Sequence, residues 1–315
     1  MRRAANVADV LRRGIDSVLA NWPLILMRIA ESIVIAGVAI AAVLAILLPI
    51  LVSIGISKFS DFEHIDDPYD FVRALLFNHW LIILYVLLGI SVLLFVFIAL
   101  HAFVEGGAAE VLVAAERQGG DETVDRRRLE AFSMDRWLRG GTRMWWPIFW
   151  IYNATWGIGG LIMLVPLVVI AAVMILSRGN PAAIAIGCVG LIATIFIVAI
   201  VAIVIGLWTE KAIIVLASRN EGTAAALSDS WAEMRSDWGR HLGVAFVIFV
   251  IAIGAAGVTG IFSMSLGFSR SAGAQFLFLP VRLGLSLVNT FVSAAIGNWF
   301  LASFAALTMR RSERV

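Results

Sequence analysis

Residues 182–219 read AAIAIGCVGLIATIFIVAIVAIVIGLWTEKAIIVLASR, and up to residue 207 the run holds no charge at all. Trp208 follows, then Glu210 and Lys211. A helix rises ~1.5 Å per residue, so this run crosses the ~30 Å hydrocarbon core of a bilayer with residues to spare. The tryptophan and the charge pair mark the membrane boundary, where an amphipathic ring and then ions meet water. Cys188, the single cysteine of the chain, lies inside the run. With no second thiol it can enter no disulfide, CxxC pair or zinc cluster, and it reads as a small packing residue.

Outward from this stretch the same pattern recurs at residues 24–54, 81–104, 148–176, 242–264 and 283–309, which makes six spans. The whole chain of 315 residues is 61% hydrophobic and 15% charged, and its mean hydropathy is +0.95. A soluble domain carries about 25% charge, so lipid is needed as a solvent for this much apolar surface. The fold class is therefore an all-α integral membrane protein of six transmembrane helices, forming one membrane domain over residues 1–315. Pro49 and Pro166 fall in the outer halves of the first and third spans, where a kink, a tilt or an early exit is expected. The start, MRRAAN, leads into a polar-alternating stretch, so no removable signal peptide is expected and the first span acts as the insertion signal.

Lys and Arg set the direction of the spans, since positive loops stay on the cytoplasmic side. Arg2, Arg3, Arg12 and Arg13 precede the first span, and Arg117, Arg126, Arg127, Arg128, Arg136, Arg139 and Arg143 fill the second loop. Lys211, Arg219, Arg235 and Arg240 occupy the fourth loop, and Arg310, Arg311 and Arg314 the tail. The other side holds only Lys58, Arg73, Arg178, Arg270 and Arg282, beside an acidic loop with Asp61, Glu63, Asp66, Asp67 and Asp70. Both termini are thus expected in the cytoplasm and the protein in the cytoplasmic (inner) membrane. The expected partners are anionic lipid headgroups on the basic face, with protein partners or further copies of the chain, and not nucleic acid.

An internal repeat shapes the plan. VLRRGIDSVLANWP (residues 10–23), SMDRWLRGGTRMWW (133–146) and ALSDSWAEMRSDWG (226–239) align on Trp22, Trp145 and Trp238, which read as interfacial anchors. Steps of eleven, seven and four residues back from each tryptophan give Leu11, Ile15 and Val18, then Met134, Leu138 and Gly141, then Leu227, Trp231 and Met234. That spacing is one face of a helix. Polar residues lie opposite: Asp9, Arg12, Arg13 and Asp16; Asp135, Arg136, Arg139 and Arg143; Asp229, Glu233 and Asp237. Each segment reads as an amphipathic helix on the inner surface that turns into a span at Pro23, Pro147 or Gly239. The even spans end alike too, at residues 208–219, 299–310 and, with a Gly-containing insert, 103–117. The plan is three parallel two-helix repeats, at about residues 7–118, 126–219 and 223–311, around an axis along the membrane normal.

Residues 207–247, LWTEKAIIVLASRNEGTAAALSDSWAEMRSDWGRHLGVAFV, resemble the central motif of the glycerophosphoryl diester phosphodiesterase membrane-domain family and its six-span relatives. In that pattern a span ends in an acidic-basic turn, an Ala-Leu-x-x-Ser-Trp helix follows, and an aromatic opens the next span. Ala226, Leu227, Ser230, Trp231 and Trp238 match. The resemblance implies a membrane module only, because that family's phosphodiesterase chemistry resides in a separate soluble domain that this sequence does not contain.

Ionisable groups inside spans are the candidate functional residues, since burying charge in lipid is costly. Arg28 and Glu31 are three apart in the first span, and His101 and Glu105 are four apart at the end of the second, followed by Gly106 and Gly107. Each pair shares a helix face. The first reads as an ion pair, a polar gate or a headgroup site, the second as an interfacial hydrogen bond or a proton relay. With His64, His79, His101 and His241 as the full histidine set, no metal site and no cofactor is expected. Asn153, Asn289 and Asn298 can bond across helices, and Gly157, Gly160, Gly254, Gly257 and Gly260 are expected to let helices approach. HExxH, P-loop and GxSxG patterns are absent, and no later histidine serves the Gly267-Phe-Ser269-Arg-Ser271 stretch as a base. The Pro-x-[Asp/Glu]-x-x-[Lys/Arg] motif of mitochondrial carriers, which also have three two-span repeats, is absent as well. Two functions fit these residues: a non-catalytic scaffold or accessory subunit of a membrane complex, or a transporter or lipid-handling protein with a polar site between its helices.

Overall fold

The structure is a computed structural model that describes residues 6–54, 80–120, 126–176, 181–267 and 278–312. The acidic loop from Asp61 to Asp70, His64, His79, Lys58, Arg73, Arg178, Arg270, Ser269 and Ser271 lie outside the described residues. In order, the elements are α1 (Val7–Ala20), α2 (Pro23–Ile54), α3 (Trp80–Gly119), a 3₁₀ turn (Arg126–Leu129), α4 (Met134–Leu176), α5 (Pro181–Arg219), α6 (Thr223–Ser236), α7 (Trp238–Gly267) and α8 (Leu279–Ser312). The described residues form helices and no strand, and α2, α3, α4, α5, α7 and α8 are long and apolar enough to cross a membrane.

The helices outrun their apolar stretches. α3 continues from the span through Glu105, Glu110 and Glu116 to Gly119, and α5 continues past Glu210 to Arg219. Ala, Leu, Glu, Arg and Lys in these extensions are strong helix formers, so nothing stops the helix where the hydrocarbon run stops. Termination comes from backbone chemistry instead. Gly120 and Asn220 adopt positive φ, 60° and 57°, just past the ends of α3 and α5, and the Asn220 N–H bonds the Leu216 carbonyl at 2.9 Å. Glycine and asparagine are the residues that tolerate this left-handed cap.

The chain divides into two compact units, Met1–Arg28 with Ala102–Val315, and Ile29–His101. In the second unit the upper parts of α2 and α3 pair antiparallel. The Tyr85 hydroxyl donates to the Ala45 carbonyl at 2.9 Å, Gly89 faces Ile46, and Glu31 meets His101. Large apolar side chains such as Ile33, Ile40, Leu84 and Leu88 stay on its outside, as lipid-facing residues do.

In the first unit α4 and α5 pair antiparallel through a Thr155–Thr209 hydroxyl bond of 2.8 Å, and α7 and α8 through Thr259 and Asn289 at 3.2 Å. Its core lies at the base, the end that carries α1, the 3₁₀ turn and α6. Ala108, Val111 and Leu112 of α3, Ile213 and Ile214 of α5, and Leu301, Phe304 and Ala305 of α8 are fully buried there. These are the helix extensions beyond the apolar runs. α8 is central: half of its apolar window is buried, against at most 17% for any other span.

Close approach at this base depends on glycine. A Cβ on Gly140 would lie 2.9 Å from the Gly106 carbonyl oxygen, and one on Gly141 would lie 2.9 Å from that of Phe103. Backbone meets backbone at the α3–α4 crossing, and no larger residue fits without moving a helix. On the α5 side the packing glycine of α4 is Gly159, where a Cβ would stand 2.0 Å from Ile205 Cδ1. Gly157, Gly160, Gly254, Gly257 and Gly260 have nothing within 4 Å of that position, so among the described residues no helix of this chain packs on them.

One further expectation changes. The lead-in at residues 133–146 is not a separate helix, because α4 runs unbroken through Pro147, held on one side by the α3 crossing and on the other by Thr223, whose hydroxyl reaches the Pro147 carbonyl at 3.3 Å. α2 and α4 also run as helix past Pro49 and Pro166. The residues that pack inside differ from one lead-in to the next. In α6 the buried residues are Ala226, Ser230 and Met234 while Trp231 is exposed; in α4 Trp137 and Met144 are buried while Met134 and Leu138 are exposed. In α1 Leu11, Val18 and Arg13 are buried while Ile15 is exposed.

Candidate functional site

Polar groups buried at the base of the first unit come in matched sets. Asn21, fully buried between α1 and α2, donates through Nδ2 to the carbonyls of Ser17 and Leu129, at 2.8 and 2.7 Å. Its Oδ1 accepts the N–H groups of Ala131 and Phe132, both at 2.8 Å. One amide thus ties the α1–α2 turn to the segment after the 3₁₀ turn. Arg13 bonds Glu116 at 2.6 Å and the Gly120 carbonyl at 2.7 Å, which explains why a charge sits inside α1's packed face. Lys211, read as a boundary marker, is fully buried instead, with Nζ 2.6 Å from both Glu233 and the Thr308 hydroxyl. Arg219 adds bonds to Asp229 and Glu233, so α6 is fastened to α5 by charge. A buried ion is tolerated only when paired and hydrogen-bonded, and each of these is.

The four candidate residues also join across helices. In the first unit Arg28 of α2 donates to Glu105 of α3 at 2.6 Å and to the Asn298 side chain of α8 at 2.8 Å. Its guanidinium rests against Gly297, where a Cβ would stand 3.6 Å from Cζ. In the second unit Glu31 lies 2.6 Å from His101 Nδ1, with Glu31 buried and His101 partly exposed. The pairs drawn along each helix, Arg28 with Glu31 and His101 with Glu105, are thus joined by pairs drawn between helices. Sequence spacing shows which residues share a face and is silent on which helix that face meets.

The tryptophan anchors differ among themselves. Trp22 lies exposed in the turn between α1 and α2, and Trp238 opens α7 with its ring 6.4 Å from that of Trp231. Trp145 sits inside continuous α4, in an aromatic row with Trp146, Phe149 and Trp150.

A groove of about 970 Å³ opens sideways in the first unit between α5, α7 and α8, with Trp156 of α4 at its edge. Ala202, Gly206, Phe246, Phe249, Ala252 and Ile296 give it an apolar wall; Asn289 and Ser293 are neutral polar groups on it, and Glu210 is its one ionisable lining residue. None of Arg28, Glu31, His101 or Glu105 lines it. Along α7 it spans Leu242 to Ala256, about 21 Å at the helical rise. The sequence signal nearest to it was the run of Gly254, Gly257 and Gly260 in α7, which reads as packing.

Fold and site together define a polytopic all-α membrane protein with charge-paired helices and a lateral apolar groove. No family model, curated protein or solved structure matches the chain.

Proposed function

We propose that this chain is a non-catalytic, lipid-handling protein of the cytoplasmic (inner) membrane, with both termini on the cytoplasmic side. The lateral groove carries the reading. Its volume falls near the top of the ~300–1,000 Å³ range of ligand sites, yet its lining is apolar, which suits hydrocarbon better than a hydrated solute. The buried cations favour the same reading, because Arg13, Arg28 and Lys211 are each matched by a carboxylate and none of the three lines the groove.

Orientation is supported by the base itself, where Arg126, Arg127, Arg128, Arg139 and Arg143 surround the end at which α1 and α6 lie. The outward Ile15, Leu19, Trp22, Met134, Leu138 and Trp231 suit helices resting on the inner leaflet. Triplication is supported by the order of elements, with the middle lead-in fused into α4. Kinship with the phosphodiesterase membrane-domain family is proposed on the α6 motif, whose Ala226 and Ser230 form the packed face.

Filling the groove tests the proposal. Ala252→Trp in the full chain is expected to reduce lipid carried through detergent purification, counted by native mass spectrometry, while Leu88→Trp on the outside of the second unit leaves the count unchanged. Equal lipid counts for both variants would reject the groove as a lipid site.

A second reading, an accessory subunit of a membrane complex, is favoured by the glycines of α7 that no part of the described chain covers. Small residues of this kind serve contacts between helices in lipid.

A further inference from the structure

We infer that the groove takes an isoprenoid quinone, a long apolar chain ending in a ring with carbonyl acceptors, and that Asn289 and Ser293 of α8 are the donors that meet a ring carbonyl; this rests on the lipid-handling reading above. Both side chains line the groove and are exposed on it. They stand four residues apart, so they share one face of α8 with their Cβ atoms roughly 6 Å apart. Asn289 Oδ1 accepts the Thr259 hydroxyl of α7 at 3.2 Å, and the two N–H groups of Nδ2 have no partner among the described residues. The Ser293 hydroxyl is in the same condition. Thr259, Thr290 and Thr308 each return their hydroxyl to the carbonyl four residues back, at 3.1, 2.9 and 2.8 Å, while Ser293 makes no such bond, and no other, among the described residues. An amide and a hydroxyl left unmatched in hydrocarbon are costly, and an acceptor brought by a ligand removes that cost.

Depth decides which lipid can supply the acceptor. On α8 the polar level toward the base is Asn298, which accepts from Arg28, and toward the other end it is Arg282. Asn289 lies nine residues from the first and seven from the second, about 14 and 11 Å at the helical rise, and so near the middle of the ~30 Å hydrocarbon core. A phospholipid keeps its ester carbonyls and phosphate at the headgroup level and offers only methylenes at mid-depth. A chain that ends in a hydroxyl has an acceptor, but its own O–H draws it toward water. A quinone ring is uncharged, has acceptors and no donor, and enters hydrocarbon at small cost once its carbonyl is hydrogen-bonded. From Asn289 to Phe300 the groove runs about 17 Å along α8 against apolar residues of α5 and α7, which accommodates the isoprenoid chain. Glu210 at the base end is already engaged within the chain, so the donors of α8 decide what the groove holds.

The test places the full chain in phosphatidylcholine nanodiscs holding equal amounts of ubiquinone and a polyprenol of the same chain length, releases it into detergent and measures the retained lipids by mass spectrometry. Wild type is expected to retain the quinone about tenfold over the polyprenol, and Ser293→Ala and Asn289→Leu are each expected to lower that preference about fivefold, as the loss of one hydrogen bond warrants. Ser293→Ala leaves the bond between Thr259 and Asn289 in place, so its effect is separate from any loss of the α7–α8 tie. Equal retention of quinone and polyprenol by wild type overturns the quinone assignment whether or not the variants fold, and the groove reading still stands if Ala252→Trp lowers the phosphatidylcholine count. A preference that survives undiminished in both variants overturns Asn289 and Ser293 as the donors.

Discussion

At the scale of the residue, Asn21 satisfies four backbone bonds with one amide that is fully buried. Asn21→Leu keeps the volume but strands the Leu129 carbonyl and the N–H groups of Ala131 and Phe132. An unsatisfied buried group costs ~1–3 kcal/mol, so a loss of more than about 3 kcal/mol is expected in thermal unfolding in detergent. Asn153→Leu, which removes one bond to its own helix at Phe149, is expected to cost under ~1 kcal/mol by the same measurement. Arg28 and Glu105 follow the logic of buried charge: Arg28→Met alone leaves a carboxylate without its cation, costing ~3–5 kcal/mol, while Arg28→Met with Glu105→Leu recovers most of that. If the double variant is as unstable as the sum of the singles, the pair is not a unit. Much of this was half legible. A charged residue in a span announces that it has a partner, but Glu105 lies 77 positions from Arg28 and Asn298 lies 270. Asn21 carried no announcement beyond its place before Trp22 and Pro23, since an asparagine in a turn is ordinary.

At the scale of the element, apolar runs revealed the spans because lipid leaves little choice of sequence. Their ends were not revealed, because the extensions of α3 and α5 are helical by propensity and packing while being ordinary in hydropathy. The glycines show the same limit. A helix repeats every 3.6 residues, so Gly157, Gly159 and Gly160 look alike in sequence, yet only at Gly159 does a neighbouring helix arrive. Gly140→Ala should destabilise the fold by ~1–3 kcal/mol through overpacking, since the Gly106 carbonyl opposite cannot turn aside. Gly257→Ala meets nothing and is expected to be neutral or to stabilise by up to ~1 kcal/mol, the usual helix gain. The two melting curves in detergent separate these outcomes. Under the accessory reading, Gly257→Leu also lowers the yield of crosslinked partner in native membranes with the melting temperature intact; unchanged crosslinking would remove the observation that favours that reading.

At the scale of the whole molecule, net charge of +2 conceals a strong asymmetry that only the assignment of residues to loops exposes. Each Lys or Arg near an anionic leaflet contributes ~1 kcal/mol, and far more of them flank the α1 and α6 end than the other, so one orientation should dominate. The core placed at that end sharpens the expectation, because Arg13 and Lys211 are neutralised inside the protein and contribute nothing to the surface. Orientation therefore depends on the exposed arginines, above all Arg126, Arg127 and Arg128 beside Arg139 and Arg143. With Cys188→Ala as background, Ser312→Cys should react with a membrane-impermeant maleimide only after permeabilisation, and Asp66→Cys in intact cells. Replacing Arg126, Arg127 and Arg128 together by Glu should raise labelling of position 312 from outside, whereas Arg13→Gln, which acts on stability, should not. Labelling of Ser312→Cys in intact wild-type background would reverse the topology, and it would place Glu210 and its groove end in the outer leaflet.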